Sequence, residues 1–189
     1  YSTIFRRVTN SEYNLPEPKA QRISAATDGS GIKMNMGCEY FQEKYGDKKR
    51  KKYIKVVITS DPFDKDIFKI EVSLEGEIES EPEIAEDHMR QLINEGYIIE
   101  EFYGDGSFDT NLLFDFCDLN KIDTKIKIRE NAVQDPNGSW RRNIEVEEYL
   151  KQGYKKWAKK KKYGRRWTGT EGIFSAVKRI FGDRVRSKK

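Results

Sequence analysis

The stretch Glu83-Ile-Ala-Glu-Asp-His-Met-Arg-Gln-Leu-Ile-Asn-Glu-Gly-Tyr-Ile-Ile-Glu-Glu-Phe-Tyr-Gly-Asp105 changes its hydrophobic period part-way along, and that change decides the fold. Ile84, Met89, Leu92 and Ile93 recur at helical spacing from Glu83 to Asn94, and Glu95-Gly96 stops the helix. Tyr97 to Tyr103 then reads as a strand that ends on Gly104-Asp105. A helix handed straight to a strand is the unit from which layered α/β domains are built.

Working outward toward the N-terminus, Tyr53 to Ser60 and Ile67 to Leu74 are β-rich runs, joined by Asp61-Pro-Phe-Asp-Lys-Asp66 as a hairpin connection. A basic loop, Asp47-Lys-Lys-Arg-Lys-Lys52, precedes them. Before it, Arg22 to Met34 reads as a strand weakened by Gly29 and Gly31, as happens where another backbone or a ligand approaches closely. Asp28 then falls at mid-strand or at a bulge. Residues 1–20, with Pro16 and Pro18 and no sustained period, read as a lead-in or the tail of a missing N-terminal region.

Toward the C-terminus, Asp109 is placed to cap a helix whose apolar face is Leu112, Leu113, Phe116 and Leu119, and Thr124 to Arg129 alternates as a short strand. Residues 131–140 are loop, Ile144 to Lys162 is helical, and a last helix contains Glu171. The order βββαβαβα implies an α/β fold with a mixed sheet flanked by helices over residues 21–189.

Composition narrows the partners. With 12% aromatic residues the chain can bury a core despite 36% charged residues, and its net charge of +4 hides a division. Residues 61–118 hold 18 Asp/Glu against 3 Lys/Arg, whereas residues 151–189 hold 15 Lys/Arg against 2 Asp/Glu. A segment at net +13 fits a polyanion, and nucleic acid is favoured over a membrane because no long apolar span accompanies it. Cys38, Cys117 and the single His88 make neither a disulfide framework nor a zinc site, which suits a reducing, cytoplasmic setting. His88 reads as a surface helix residue. Trp140, Trp157 and Trp167 read as core or helix-packing residues.

Three acids stand in exposed, glycine-rich or helix-start contexts. They are Asp28 in Asp28-Gly-Ser-Gly31, Asp105 in Gly104-Asp-Gly-Ser-Phe-Asp109, and Glu171 in Tyr163-Gly-Arg-Arg-Trp-Thr-Gly-Thr-Glu171-Gly-Ile-Phe-Ser-Ala-Val-Lys178. On the last helix Glu171, Ser175 and Lys178 share one face, while Ile173, Phe174, Val177, Ile180 and Phe181 form an apolar stripe that must be buried. Oxygen ligands from several segments are what a pair of divalent cations needs to drive in-line displacement at phosphorus. Asp109 is weighed as a helix cap rather than a ligand.

These three segments resemble, in order, the catalytic blocks of prokaryotic insertion-sequence transposases of the DDE class, in the group with a Tyr-Arg-Glu-Lys signature. The resemblance covers residues 20–186. It implies a ribonuclease-H-like fold, with Asp28, Asp105 and Glu171 as catalytic and metal-binding residues for Mg²⁺ or Mn²⁺, two ions in all. It also makes Tyr163, Arg166 and Lys178 helpers that hold DNA near the scissile phosphate. Arg179 and the tract Lys159, Lys160, Lys161 and Lys162 are expected to contact DNA with them. The activity implied is cleavage at element ends and transfer of the 3′ hydroxyl to target DNA, in a complex of two copies of the chain with DNA in the nucleoid. A non-catalytic DNA-binding remnant, or a nuclease without strand transfer, are the alternatives.

One spacing departs from the signature. Four residues separate Arg166 from Glu171 where the family has three, while the six between Glu171 and Lys178 keep the family interval. Gly169 disfavours a helix interior and Thr170 is a good N-cap, so the helix is expected to start within Thr168 to Glu171 and leave Arg166 in a turn or loop.

Overall fold

A computed structural model describes residue 15 and residues 17–36, 53–74 and 80–187. Most of the expected lead-in, the basic loop at 47–52 and Cys38 lie outside the described residues. The strands are β1 (Arg22–Met36), β2 (Tyr53–Ser60), β3 (Ile67–Leu74), β4 (Ile98–Gly104), β5 (Asp123–Ile126) and β6 (Arg184–Ser187). The helices are α1 (Glu81–Asn94), α2 (Asn111–Leu119), α3 (Trp140–Lys160), α4 (Arg166–Gly169) and α5 (Glu171–Phe181). Short 3₁₀ turns occupy Gly106–Phe108 and Tyr163–Arg165.

The sheet runs β3-β2-β1-β4-β5, antiparallel across the first three strands and parallel from β1 through β4 to β5, with β6 added beside the far end of β1. This is an open mixed sheet with helices against it, consistent with the ribonuclease-H-like reading. Local sequence explains the ends of its elements. Ser80 and Glu83 form a reciprocal capping box at the start of α1, with Pro82 in the first turn. Gly153, at φ 72, kinks α3 between its two halves.

The two faces of β1 are read by alternation. Ala25 and Thr27 turn toward α1, where Ala85, Met89 and Leu92 join the main core with Ile99, Phe102 and Phe114. Asp28 lies on the opposite face, where Ile58, its partner on β2, meets Ile173 and Phe174 of α5. This second, smaller apolar cluster docks α5 and so fixes which way Glu171 turns.

Several expectations are corrected. His88 is buried, its Nδ1 2.8 Å from Thr59 Oγ1, and Thr59 is in turn 2.8 Å from Thr27 Oγ1. The face of α2 is rotated from its expected position: Phe114 and Cys117 join Leu113 and Phe116 inside, while Leu112 and Leu119 are exposed. Thr110, not Asp109, caps α2, by accepting the Leu113 N–H. Helix α3 begins at Trp140, inside the expected loop, because Ser139 accepts the Arg142 N–H as its cap. Trp140 and Trp167 are exposed and only Trp157 is core. The stripe of α5 is buried at Ile173 and Phe174 but exposed at Ile180 and Phe181, because the helix runs beyond the sheet residues that cover it.

Candidate active site

Asp28 occupies the middle of β1 with no bulge at its position. The parallel pairing of β1 with β4 ends at Ala26 with Tyr103, and two steps further along the same register Asp28 comes level with Asp105. Asp105 has just left the carboxyl end of β4, where open α/β sheets place their sites. A side chain at Gly29 would collide with the Glu81 carboxylate, 2.5 Å from the Cβ it would carry. The close neighbour of Gly29 is thus the end of a flexible side chain of α1, not the backbone or ligand that its sequence context suggested.

Two of the acids have an oxygen held by a backbone N–H. Asp28 Oδ1 accepts the Gly29 N–H at 3.0 Å. Asp105 Oδ1 accepts the Ser107 N–H at 2.7 Å and the Ser107 hydroxyl at 2.5 Å, which caps the 3₁₀ turn and fixes the carboxylate. Arg129 holds that turn from outside by donating to the carbonyls of Gly106 and Ser107. Glu171 opens α5, where the positive end of the helix dipole favours a carboxylate.

Arg166 stands among these acids. Its Nη1 is 3.6 Å from Asp28 Oδ2 and its Nη2 is 3.2 Å from Glu171 Oε1. The residue is only 6% exposed, and its Nε and Nη1 have no hydrogen-bond partner. Tyr163 lies beneath it, buried against Trp157, with the guanidinium 5.6 Å from the tyrosine ring. Burial pushes the Tyr163 hydroxyl up to about 12, so it stays protonated and neutral. Burial likewise raises the Asp28 carboxyl, Arg166 pulls it down, and Asp105 and Glu171 raise it further. The charges of Asp105, Glu171 and Arg166 are therefore all near enough to act on the Asp28 carboxyl.

As the side chains stand, no three acid, histidine or cysteine groups among the described residues are close enough together to hold one ion. The donor chemistry nonetheless suits a hard divalent cation: carboxylate oxygens supplied from three separate segments. Asp28 is more buried than Glu171.

Helix α5 does begin at Glu171, but Thr170 is helical at φ −105 and ψ −61 and makes no side-chain cap. Its hydroxyl donates back to the Arg166 carbonyl at 3.2 Å. Arg166 opens the short helix α4 rather than lying in a loop. The extra residue is absorbed at this break, between α4 and α5.

The basic tract divides. Lys161 is buried and donates to Glu145 at 2.6 Å and to the Thr124 carbonyl at 3.2 Å, so it is turned away from any phosphate. Lys160 pairs with Glu148 at 2.8 Å. Lys159 and Lys162 are exposed, as is Arg179, and Lys178 is half-buried one helical repeat from Glu171. Sequence reasoning also missed Asp109. Its carboxylate is buried and held by Arg142 Nε at 2.6 Å and Nη2 at 3.2 Å, and it accepts the Arg129 N–H. The partner is 33 residues away, and no local pattern announces it.

A model of the family described as the transposase DDE domain matches residues 20–189. The chain belongs to this family. The match spans the strands and helices that carry all three acids, and no curated protein matches the sequence significantly. Membership makes this a DNA-acting transposase domain, of a family that works with divalent metal ions. Among the described residues no helix is long and apolar enough to cross a membrane.

Proposed function

We propose that this transposase domain cuts DNA phosphodiester bonds at element ends and transfers the freed 3′ hydroxyl to target DNA. Asp28, Asp105 and Glu171 would hold Mg²⁺ or Mn²⁺, two ions in all. Ions in such a site activate an attacking oxygen and stabilise a departing one. The observation that carries the reading is that Arg166, a buried cation, bridges Asp28 of β1 and Glu171 at the start of α5, while Asp105 at the end of β4 lies level with Asp28.

The chain's own groups then take distinct parts. Ser107 keeps Asp105 Oδ1 engaged and so fixes the carboxylate at the end of β4. Tyr163 supports Arg166 from beneath, and Arg166, Lys178 and Arg179 face the phosphates near the scissile bond, with Lys159 and Lys162 following the backbone further out. Phosphate contacts of this kind set register and supply salt-dependent affinity. The domain would act on DNA in the cytoplasm, as a pair of copies bridging two ends.

Incubation with supercoiled plasmid, with and without Mn²⁺, tests the chemistry without knowledge of the end sequence. Nicking that requires the ion and disappears in Asp28→Asn, Asp105→Asn and Glu171→Gln at equal folded protein is the expected result. Full activity in any one of these variants removes that residue from the site, and ion-independent nicking removes the metal.

A further inference from the structure

The end of β2 and the β2–β3 turn touch the Arg165–Glu171 segment at four places. Ser60 Oγ donates to the Gly169 carbonyl at 2.9 Å, and both residues are buried. Thr168 Oγ1 is 2.6 Å from the Pro62 carbonyl and 2.9 Å from the Arg165 carbonyl, and the shorter distance assigns its hydrogen to Pro62. The Arg165 guanidinium covers the Phe63 ring at 4.9 Å. At Gly169 itself, an added Cβ would lie 2.6 Å from Pro62 Cα and 2.9 Å from the Asp61 carbonyl oxygen. Those neighbours are backbone atoms, which cannot swing aside.

The turn is itself rigidly made. Asp61 Oδ1 accepts the N–H groups of Phe63 and Asp64, the Asp61 N–H donates to the Asp66 carbonyl, and Lys65 takes the left-handed conformation at φ 64. Thus a stiff hairpin tip meets the chain where α4 breaks from α5. Arg166 lies on one side of that break and Glu171 on the other, and their side chains converge above Asp28.

We infer that the β2–β3 turn sets the position of Arg166 and Glu171 relative to Asp28, with Ser60 and Thr168 as positioning residues and Gly169 as the seat on which the segment rests. The inference rests on the reading of the three acids as a metal site. It also accounts for the departure in spacing: a segment one residue longer than the signature still delivers Glu171, because its vertex is fixed to the hairpin rather than by an unbroken helix. Nothing in this requires the turn to touch DNA or metal.

The test uses the whole chain and the variants Ser60→Ala, Thr168→Val and Gly169→Ala, with Thr168→Ser as the conservative control. Mn²⁺ binding is measured by calorimetry and nicking of supercoiled plasmid by gel. Ser60→Ala with Thr168→Val should weaken Mn²⁺ binding about tenfold, the scale of one or two lost hydrogen bonds, while Thr168→Ser binds as wild type does. Random-sequence DNA affinity should change much less than the metal affinity. Unchanged Mn²⁺ affinity in the folded double variant would overturn the inference. If wild type itself binds no Mn²⁺, the metal reading fails instead, and the positioning role is then decided without metal. In that case Thr168→Val and Asp28→Asn are combined, and unfolding midpoints that fail to add support a hairpin holding Arg166 on Asp28. Additive midpoints overturn it.

Discussion

Arg166 bridges Asp28 and Glu171, with Nη1 3.6 Å from one carboxylate and Nη2 3.2 Å from the other, in a place where only 6% of the arginine is exposed. Without a metal ion, this arginine is the positive charge that lets two buried or half-buried acids stand near a third. A divalent cation on the same oxygens must compete with it. On the proposed reading, metal binding would release Arg166, which would then be free to take a DNA phosphate as its anionic partner.

Replacing Arg166 with Gln should therefore move two measurements in opposite directions. The metal-free protein loses its counter-charge and should be less stable by roughly 1–3 kcal/mol, below the range for fully buried pairs because Glu171 is 40% exposed and the Asp28 contact is long. Mn²⁺ should bind several-fold more tightly, since no cation has to be displaced. Chemical denaturation and Mn²⁺ titration of the same preparation check both. Weaker Mn²⁺ binding in Arg166→Gln would show that the arginine supports the ion rather than competing with it.

The basic tract gives a second contrast, between neighbours that look identical in sequence. Lys159 and Lys162 are exposed, whereas Lys161 is buried against Glu145 at 2.6 Å, with Arg141 also 3.3 Å from the same oxygen. Neutralising Lys159 and Lys162 should leave stability nearly unchanged and flatten the log–log salt dependence of DNA affinity by about 0.9 per lost phosphate contact. Lys161→Met should do the reverse, leaving the slope alone and costing roughly 1–3 kcal/mol, less than a fully stranded charge because Arg141 still pairs with Glu145. A slope that responds to Lys161 and not to Lys159 or Lys162 would mean that this tract is turned over when DNA binds.

What sequence showed and what it hid follow from the range of each interaction. The strands Tyr53–Ser60 and Ile67–Leu74 appear as read, because alternation and turn residues are local signals. The break before Glu171 was legible for the same reason, since Gly169 and Thr170 disfavour a continuous helix. The arrangement around that break was not. Ser60 meets Gly169 across 109 residues and Arg142 meets Asp109 across 33, and no periodicity encodes such pairings. Burial of single polar residues was equally hidden. Lys161 and His88 sit in polar-looking surroundings in sequence, and only the tertiary structure supplies Glu145 to one and Thr59 to the other.

The Asp109–Arg142 pair yields a third prediction, directed at the fold beneath the site. Both groups are largely shielded, and the same carboxylate also accepts the Arg129 N–H, which in turn fixes the arginine that holds the turn after Asp105. Asp109→Asn should cost roughly 3–5 kcal/mol by leaving Arg142 buried without its counter-charge. Because Arg129 anchors the Asp105 turn, Mn²⁺ affinity should fall along with stability. Loss of stability with metal affinity intact in the remaining folded protein would separate the two elements.

His88 supplies the last prediction. Burial is the main cause that lowers its pKa to about 4, with Lys69 acting in the same direction and Asp87 against it. The neutral ring fits the Thr27–Thr59–His88 hydrogen-bond chain that ties β1 and β2 to α1. The unfolded chain, with an ordinary histidine pKa near 6.5, takes up its proton first as pH falls. Stability is then complete above about pH 6.5, declines as pH drops, and stops declining through this group near pH 4. At pH 5 the loss amounts to about 2 kcal/mol. Asp28 acts in the opposite sense, because its raised pKa favours the folded state on acidification. Comparing wild type with His88→Gln removes that common contribution. Urea unfolding at pH 7.5 and pH 5 should show a steeper decline in wild type than in the variant, which offers Thr59 a hydrogen-bonding group but takes up no proton. Equal declines would mean that the folded protein accommodates a protonated His88 and that the threonine chain rearranges around it.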